Sequence, residues 1–317
     1  MAGAALTARD PVGYPRLLDE AADRAARAVG GYEDRCFRIA DHVMRLRCAG
    51  RRLASYLAGS MSHLEIAPAA PADLTVNAWA DGPSPCADHA GFRRWSGGDG
   101  LSFVQWGEGS LSGLDATRDA GHLWVQSLDR PVDVGVAPVS PILSAWLPSR
   151  GLLHAHAGAV GHRDGCVLLA APSGQGKSTT ALACVENGLG YLGDDACLLR
   201  ADPRPTAYSL YRLAQSLPGE GAPRKAIRHM EDRVMVSEAP LRAIAIVEPS
   251  GLRGSRTAVA SAAEAVGAIA PSSMLRLPAP REAVLRGLAR IAATVPCHRL
   301  EAGTDAAGLA AAVRALL

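Results

Sequence analysis

The stretch that most constrains this chain runs from His154 to Arg200. An apolar run of strand length, CVLLA at 166–170, leads into the octapeptide APSGQGKS at 171–178. It fits the phosphate-loop pattern G-x-x-x-x-G-K-[ST] except at the first position, where Ala171 replaces glycine. Gly174 and Gly176 let successive backbone N–H groups turn toward one anion, and a helix starting near Lys177 adds the positive end of its dipole. The pattern predicts strand, loop and helix, then a second strand, GYLGDDACLL, that carries Asp194 and Asp195.

At 317 residues the chain is long enough for one large domain or two ordinary ones. The formal charge is +2, and the scattered arginines form no basic block with interleaved aromatics, which argues against nucleic acid as a partner. The seven cysteines are odd in number and contain no C-x-x-C pair, so they read as small buried hydrophobes of a reducing compartment. The first 20 residues carry acids early and lack an apolar core, and no run approaches about 18 apolar residues. The expectation is a cytoplasmic protein with no membrane partner. The sequence leaves assembly into a homo-oligomer open.

Ahead of the phosphate loop, residues 15–29 have the spacing of an amphipathic helix ended by Gly30 and Gly31. From 35 to 128 the pattern changes to short strands (RCFRIA, HVMRLRCA, DLTVNAWA, LSFVQW, HLWVQSL), with a helical turn at 52–57. In HVMRLRC, Met44, Leu46 and Cys48 alternate with Arg45 and Arg47. Trp79, Trp95, Trp106 and Trp124 fall in this region and read as core and turn packing. Residues 139–147 read as a helix leading into the nucleotide core. Beyond Arg200, a proline- and charge-rich stretch to 233 is too long for a simple connector and is a candidate substrate-facing segment, in which Arg212, Arg224 and Lys225 could meet phosphate or an acidic peptide. A buried strand at 241–248, helices at 261–269 and 280–294, a strand at 297–301 and a closing helix from Thr304, capped by Thr304 or Asp305, complete the chain. The expected division is a helix plus mainly β region over 1–135, structural or substrate-binding, and a catalytic domain over 136–317.

The loop residues, the aspartate pair and His156 are the candidates for roles in phosphoryl transfer. Ser173, Gly174, Gln175, Gly176, Lys177, Ser178 and Thr179 would line the nucleotide phosphates, with Lys177 as a point charge on the β and γ groups. Ser178 and Asp195 would hold Mg²⁺. Asp194 is the candidate base: neighbouring carboxylates repel, which suits one metal-bound group and one proton acceptor. Both can serve one site only at a strand's end, because successive strand residues face opposite ways. His156 would stand near the γ phosphate and orient or share a proton with the aspartate.

The order His156-x-x-x-Val160, a glycine, the loop, a glycine-containing turn and the Asp194-Asp195 pair resembles the catalytic domain of the HPr kinase/phosphorylase family. It resembles in particular the stand-alone HPr kinase-like proteins beside peptide-modifying genes, lasso-peptide clusters included. The resemblance covers about 140–317 and is specific over 154–197. It implies an α/β phosphate-loop core of the phosphoenolpyruvate-carboxykinase-like type, with a mixed, antiparallel-leaning sheet. It also implies an ATP- and Mg²⁺-dependent kinase acting on a hydroxyl, with serine of a peptide or small protein as acceptor. The signature segment that follows the aspartates in the HPr enzymes has no counterpart here, so the implied substrate is not HPr itself. Other readings of the same residues are a small-molecule kinase and a non-catalytic nucleotide-binding regulator or assembly factor.

Overall fold

Alanine-rich sequence with Pro15 in its first turn forms α1 (Tyr14–Ala28), whose Tyr14, Leu18, Ala22 and Ala26 make one buried stripe at a spacing of four. Gly30 and Gly31, at φ +88° and +125°, end it. The computed structural model describes residues 13–68, 71–81, 92–97, 100–107, 109–129, 137–172, 174–216, 226–276 and 281–317. Two compact units are present, Met1–Ser149 and Arg150–Leu317.

In the first unit, α1 is followed by β1 (Tyr32–Ile39), β2 (His42–Ala49), α2 (Arg51–Ala58), β3 (Glu65–Ile66), β4 (Leu74–Ala80), β5 (Phe92–Gly97), β6 (Gly100–Gly107), β7 (Ser110–Asp115), β8 (Ala120–Val125) and α3 (Ser140–Trp146). The strands form one mixed eight-stranded sheet in the order β3-β1-β2-β4-β8-β7-β6-β5. Met44, Leu46 and Cys48 on β2 are buried, as their alternation predicts. Trp79 and Trp124 are buried against α1, and Trp106 meets the Tyr14 ring edge-on at 5.9 Å, so these three tryptophans serve packing. Trp95's side chain lies outside the described residues. On the other face α3 covers β8 so closely that a Cβ on Gly121 would sit 3.0 Å from Ile142 Cγ2.

The second unit runs β9 (Leu152–Ala155), β10 (Gly158–His162), β11 (Gly165–Ala170), α4 (Lys177–Glu186), β12 (Gly190–Gly193), β13 (Cys197–Arg200), β14 (Thr206–Ser209), β15 (Leu213–Ser216), β16 (Ala226–His229), β17 (Glu238–Pro249), β18 (Arg256–Val259), α5 (Ala262–Arg276), α6 (Arg281–Thr294), β19 (Cys297–Ala302) and α7 (Ala306–Arg314). It is a mixed α/β unit with strand order β12-β10-β11-β17-β14-β13-β9, β19 also on β17, and β18 on β19. Most pairs are antiparallel; β11 and β19 run parallel to β17. α4 and α7 pack on one face, around Val167, Leu169, Cys184 and Leu309. α5 and α6 pack with the β9–β13–β14 strands around a second cluster that includes Ala155, Leu168, Leu199, Ile269 and Leu288.

Three sequence expectations change. GYLGDDACLL is two strands rather than one, because β12 pairs with β10 while β13 pairs with β9 and β14. A continuous strand would send the two carboxylates to opposite sides of the sheet, whereas the turn at 194–196 leaves Asp195 partly exposed and lets the buried Asp194 take the Tyr191 hydroxyl as its donor. The helix expected at 261–269 continues through Pro271 to Arg276, with the Ser272 and Ser273 hydroxyls donating to Ile269 O. The segment after Arg200 contains β14, β15 and β16, and Arg212 is occupied within it: its guanidinium donates to Met230 O and pairs with Asp232 at 2.6 Å. Arg224 and Lys225 lie outside the described residues. Among the described residues no cysteine forms a disulfide, and no helix is long and apolar enough to cross a membrane.

Candidate active site

The sheet register gathers the central residues at one end of the second unit. β11 delivers the phosphate loop at its C-terminal end. β10 is antiparallel to it, with Gly158 opposite Leu169, so the preceding residues 156–157 lie at that same end. β12 is antiparallel to β10, with Gly193 opposite Ala159, which brings Asp194 there too. Gly158 has no side chain because a Cβ would sit 3.3 Å from Asp194 Cα. β17 is parallel to β11 and brings Val247 and Pro249 against Gly176.

Within the loop, Gly174 and Gly176 take φ +82° and +87°. An added Cβ on Gly174 would meet nothing within 4 Å, so the left-handed backbone, rather than space, requires glycine; another residue costs about 1–2 kcal/mol there. Gly176 is the N-cap of α4 and provides no side-chain cap; the first turn holds no acid. The amides of Ser178 and Thr179 thus face the loop at the positive end of the helix without a capping side chain from its N-cap residue. Lys177 is 5 % exposed, and its ammonium doubles back to donate to Ala171 O at 2.8 Å and Pro172 O at 3.3 Å. Gln175 and Thr179 are exposed and Ser178 is half-buried. Ser173 lies outside the described residues.

Asp194 and Asp195 stand just past the end of β12, the position from which both can serve one site. Asp194 is 2 % exposed and accepts from the Tyr191 hydroxyl at 3.1 Å. The same hydroxyl lies 2.9 Å from Leu213 O, so one proton is shared between two acceptors. Desolvation, with the Asp194 charge beside it, holds the Tyr191 phenol well above its ordinary pKa, so it stays a donor. Asp195 Oδ1 lies 3.3 Å from His156 Nδ1. His156 thus meets the aspartate assigned to the metal. Its backbone is fixed by a bond from His156 N to Ser273 Oγ of α5 at 2.9 Å. His154, two residues back on β9, is buried; desolvation, aided by the His156 charge, lowers its pKa to about 4 and keeps it neutral.

Tyr191 and Ser273 are the contributors that the sequence did not flag. Tyr191 precedes the aspartates by three residues and reads as a strand apolar; nothing local marks Ser273, which arrives from 117 residues away. No group of three or more His, Cys, Asp or Glu stands together as a metal cage among the described residues. Ser178 and Asp195 could supply a hydroxyl and a carboxylate oxygen, the sparser kind of set that suits Mg²⁺ shared with phosphates. A cavity of about 910 Å³ opens at the other end of α4, lined by Glu186, Gly190, Arg228 and Val236 among others. One helix length, about 15 Å, separates it from the phosphate loop. Comparison with protein-family models and with curated protein sequences finds no match to this chain in either.

Proposed function

We propose that the chain is an ATP-dependent, Mg²⁺-requiring kinase with an HPr kinase-like phosphate-loop core, acting on a hydroxyl, with serine of a peptide or small protein other than HPr as acceptor. What carries this reading is the arrival of two separate devices at one end of one unit. One is the uncapped start of α4 with its left-handed glycines and buried lysine; the other is the Asp194–Asp195 turn with Tyr191 and His156. A structural turn needs neither a buried ammonium nor a carboxylate held at 2 % exposure.

The loop amides and Lys177 bind the β and γ phosphates, and the phosphates take over from Ala171 O and Pro172 O as acceptors of the ammonium. Ser178 and Asp195 would hold Mg²⁺, which would supply neutralisation of charge on the transferring group. His156 orients Asp195. Asp194 takes the proton of the attacking hydroxyl; once protonated it donates to Tyr191 Oη, whose own proton then belongs wholly to Leu213 O. The acceptor oxygen forms the new P–O bond as the bond to the β-phosphate oxygen breaks, and ADP leaves. Positioning and charge neutralisation provide most of the acceleration.

Asp194→Asn tests this. With ATP, Mg²⁺ and a library of serine-containing peptides, transfer read as a mass gain of one phosphate falls by about 10²–10⁴-fold, while ATP binding by calorimetry stays near that of the parent. Unchanged transfer in this variant overturns the kinase assignment, and a parent protein that binds ATP without transfer supports the regulator reading instead.

A further inference from the structure

The kinase reading fixes the direction in which the donor must lie. In-line transfer puts the attacking hydroxyl and the departing β-phosphate on opposite sides of the γ phosphorus. The proton acceptor Asp194 follows β12, two strands to one side of the loop-bearing β11. The nucleoside end of the triphosphate therefore runs the other way, toward β17 and β19, which lie about 5 and 10 Å from β11 at ordinary strand spacing.

What stands there is the loop 250–255, SGLRGS, between β17 and β18. It starts against the phosphate loop: a Cβ on Gly176 would sit 3.6 Å from Pro249 Cγ. Its backbone is fastened along its length. Ser250 N donates to Ala302 O at 3.0 Å, Leu252 N to Ser250 Oγ at 3.2 Å and Gly303 N to Ser255 Oγ at 3.0 Å. Leu252 O and Arg253 O accept from Thr304 N and Asp305 N at 2.8 and 3.0 Å. Gly303 admits this contact, since a Cβ there would fall 2.5 Å from Arg253 O. The loop is thus rigid in its main chain, yet its two largest side chains point outward. Leu252 is 50 % exposed, and Arg253 is exposed and forms no ion pair among the described residues. An apolar side chain beside a guanidinium, on a rigid loop adjoining a phosphate site, has the chemistry to seat a base and its ribose.

We infer that the loop 250–255 seats the nucleoside of the donor, a nucleoside triphosphate, with Leu252 against the base and Arg253 donating to the ribose hydroxyls. This rests on the kinase reading of the phosphate end. The test compares ATP with inorganic tripolyphosphate, which has the phosphates and no nucleoside. Both are titrated with Mg²⁺ into the full chain and into the Leu252→Ser/Arg253→Ala and Lys177→Ala variants. The double variant, whose changed side chains are exposed, weakens ATP by about tenfold or more and leaves tripolyphosphate within about twofold, while Lys177→Ala weakens both. Unchanged ATP affinity in the double variant overturns the inference, as does an equal loss for both ligands. A parent chain that binds neither ligand overturns the kinase reading, and the seat falls with it.

Discussion

The N-termini of α4 and α7 open at the same end of one sheet and the helices pack side by side, yet they begin in opposite ways. α7 starts at Asp305, whose carboxylate accepts from Gly308 N at 3.2 Å, so that helix neutralises its own end. α5 does likewise with a reciprocal pair, Ser261 N donating to Glu264 Oε2 and Glu264 N to Ser261 Oγ. α4 starts at a left-handed glycine, with no cap and a lysine in its first position. A helix end without a cap forgoes about 1 kcal/mol of stabilisation. Under the kinase reading, the uncapped end of α4 is where the phosphates of the donor would supply the acceptor.

Lys177→Ala attacks the open end directly and has the largest effect expected among the changes that bear on this contrast, a fall of about 10³-fold in transfer rate with ATP affinity also reduced; steady-state kinetics and calorimetry check it. The pH response comes next. His154 has its pKa depressed to about 4 from 6.5, so the unfolded chain takes up the proton first as pH falls. The stability it contributes is complete above about pH 6.5, declines from there to about pH 4, and totals about 3 kcal/mol. Chemical unfolding of the ligand-free protein across that window shows the slope, and His154→Gln flattens it. Tyr191→Phe removes the hydroxyl beside Asp194 and lowers transfer by about tenfold, with ATP affinity held, separating the proton path from phosphate binding. Asp305→Ala is the smallest and the control: it lowers unfolding stability by about 1 kcal/mol and leaves ATP binding unchanged. If Asp305→Ala weakened ATP binding as much as Lys177→Ala, the contrast between the two helix ends would collapse.

Local chemistry made much of this legible. The stripe of α1, the alternation on β2 and the cap at Asp305 each depend on residues within a few positions of one another, and each appears in the structure where the pattern puts it. The glycines at 174 and 176 were readable for the same reason, because a left-handed backbone excludes most other residues. Long-range partnership was not. β9, β10 and β12 are four or five residues long, too short for periodicity to speak, and their position depends on strands distant in sequence. For that reason the single strand expected over GYLGDDACLL is broken by a turn at the aspartates, and nothing in the sequence marks Tyr191 or Ser273 as neighbours of the site. His156 was expected beside the aspartates, but only the fold could tell which of them it meets.

The turn at Asp194–Ala196 has a mechanical consequence. Gly193 is pressed so closely to Ala196 O that a Cβ would come within 2.6 Å of it, and in those three residues the chain leaves the partner of β10 to become the partner of β9. The carboxylates therefore sit on the seam between two strand groups, whereas the phosphate loop joins β11 to α4 and rests against β17, away from that seam. Under the kinase reading, loosening the seam would stop transfer before it released the nucleotide, so that under mild denaturant turnover should fail at a lower concentration than binding.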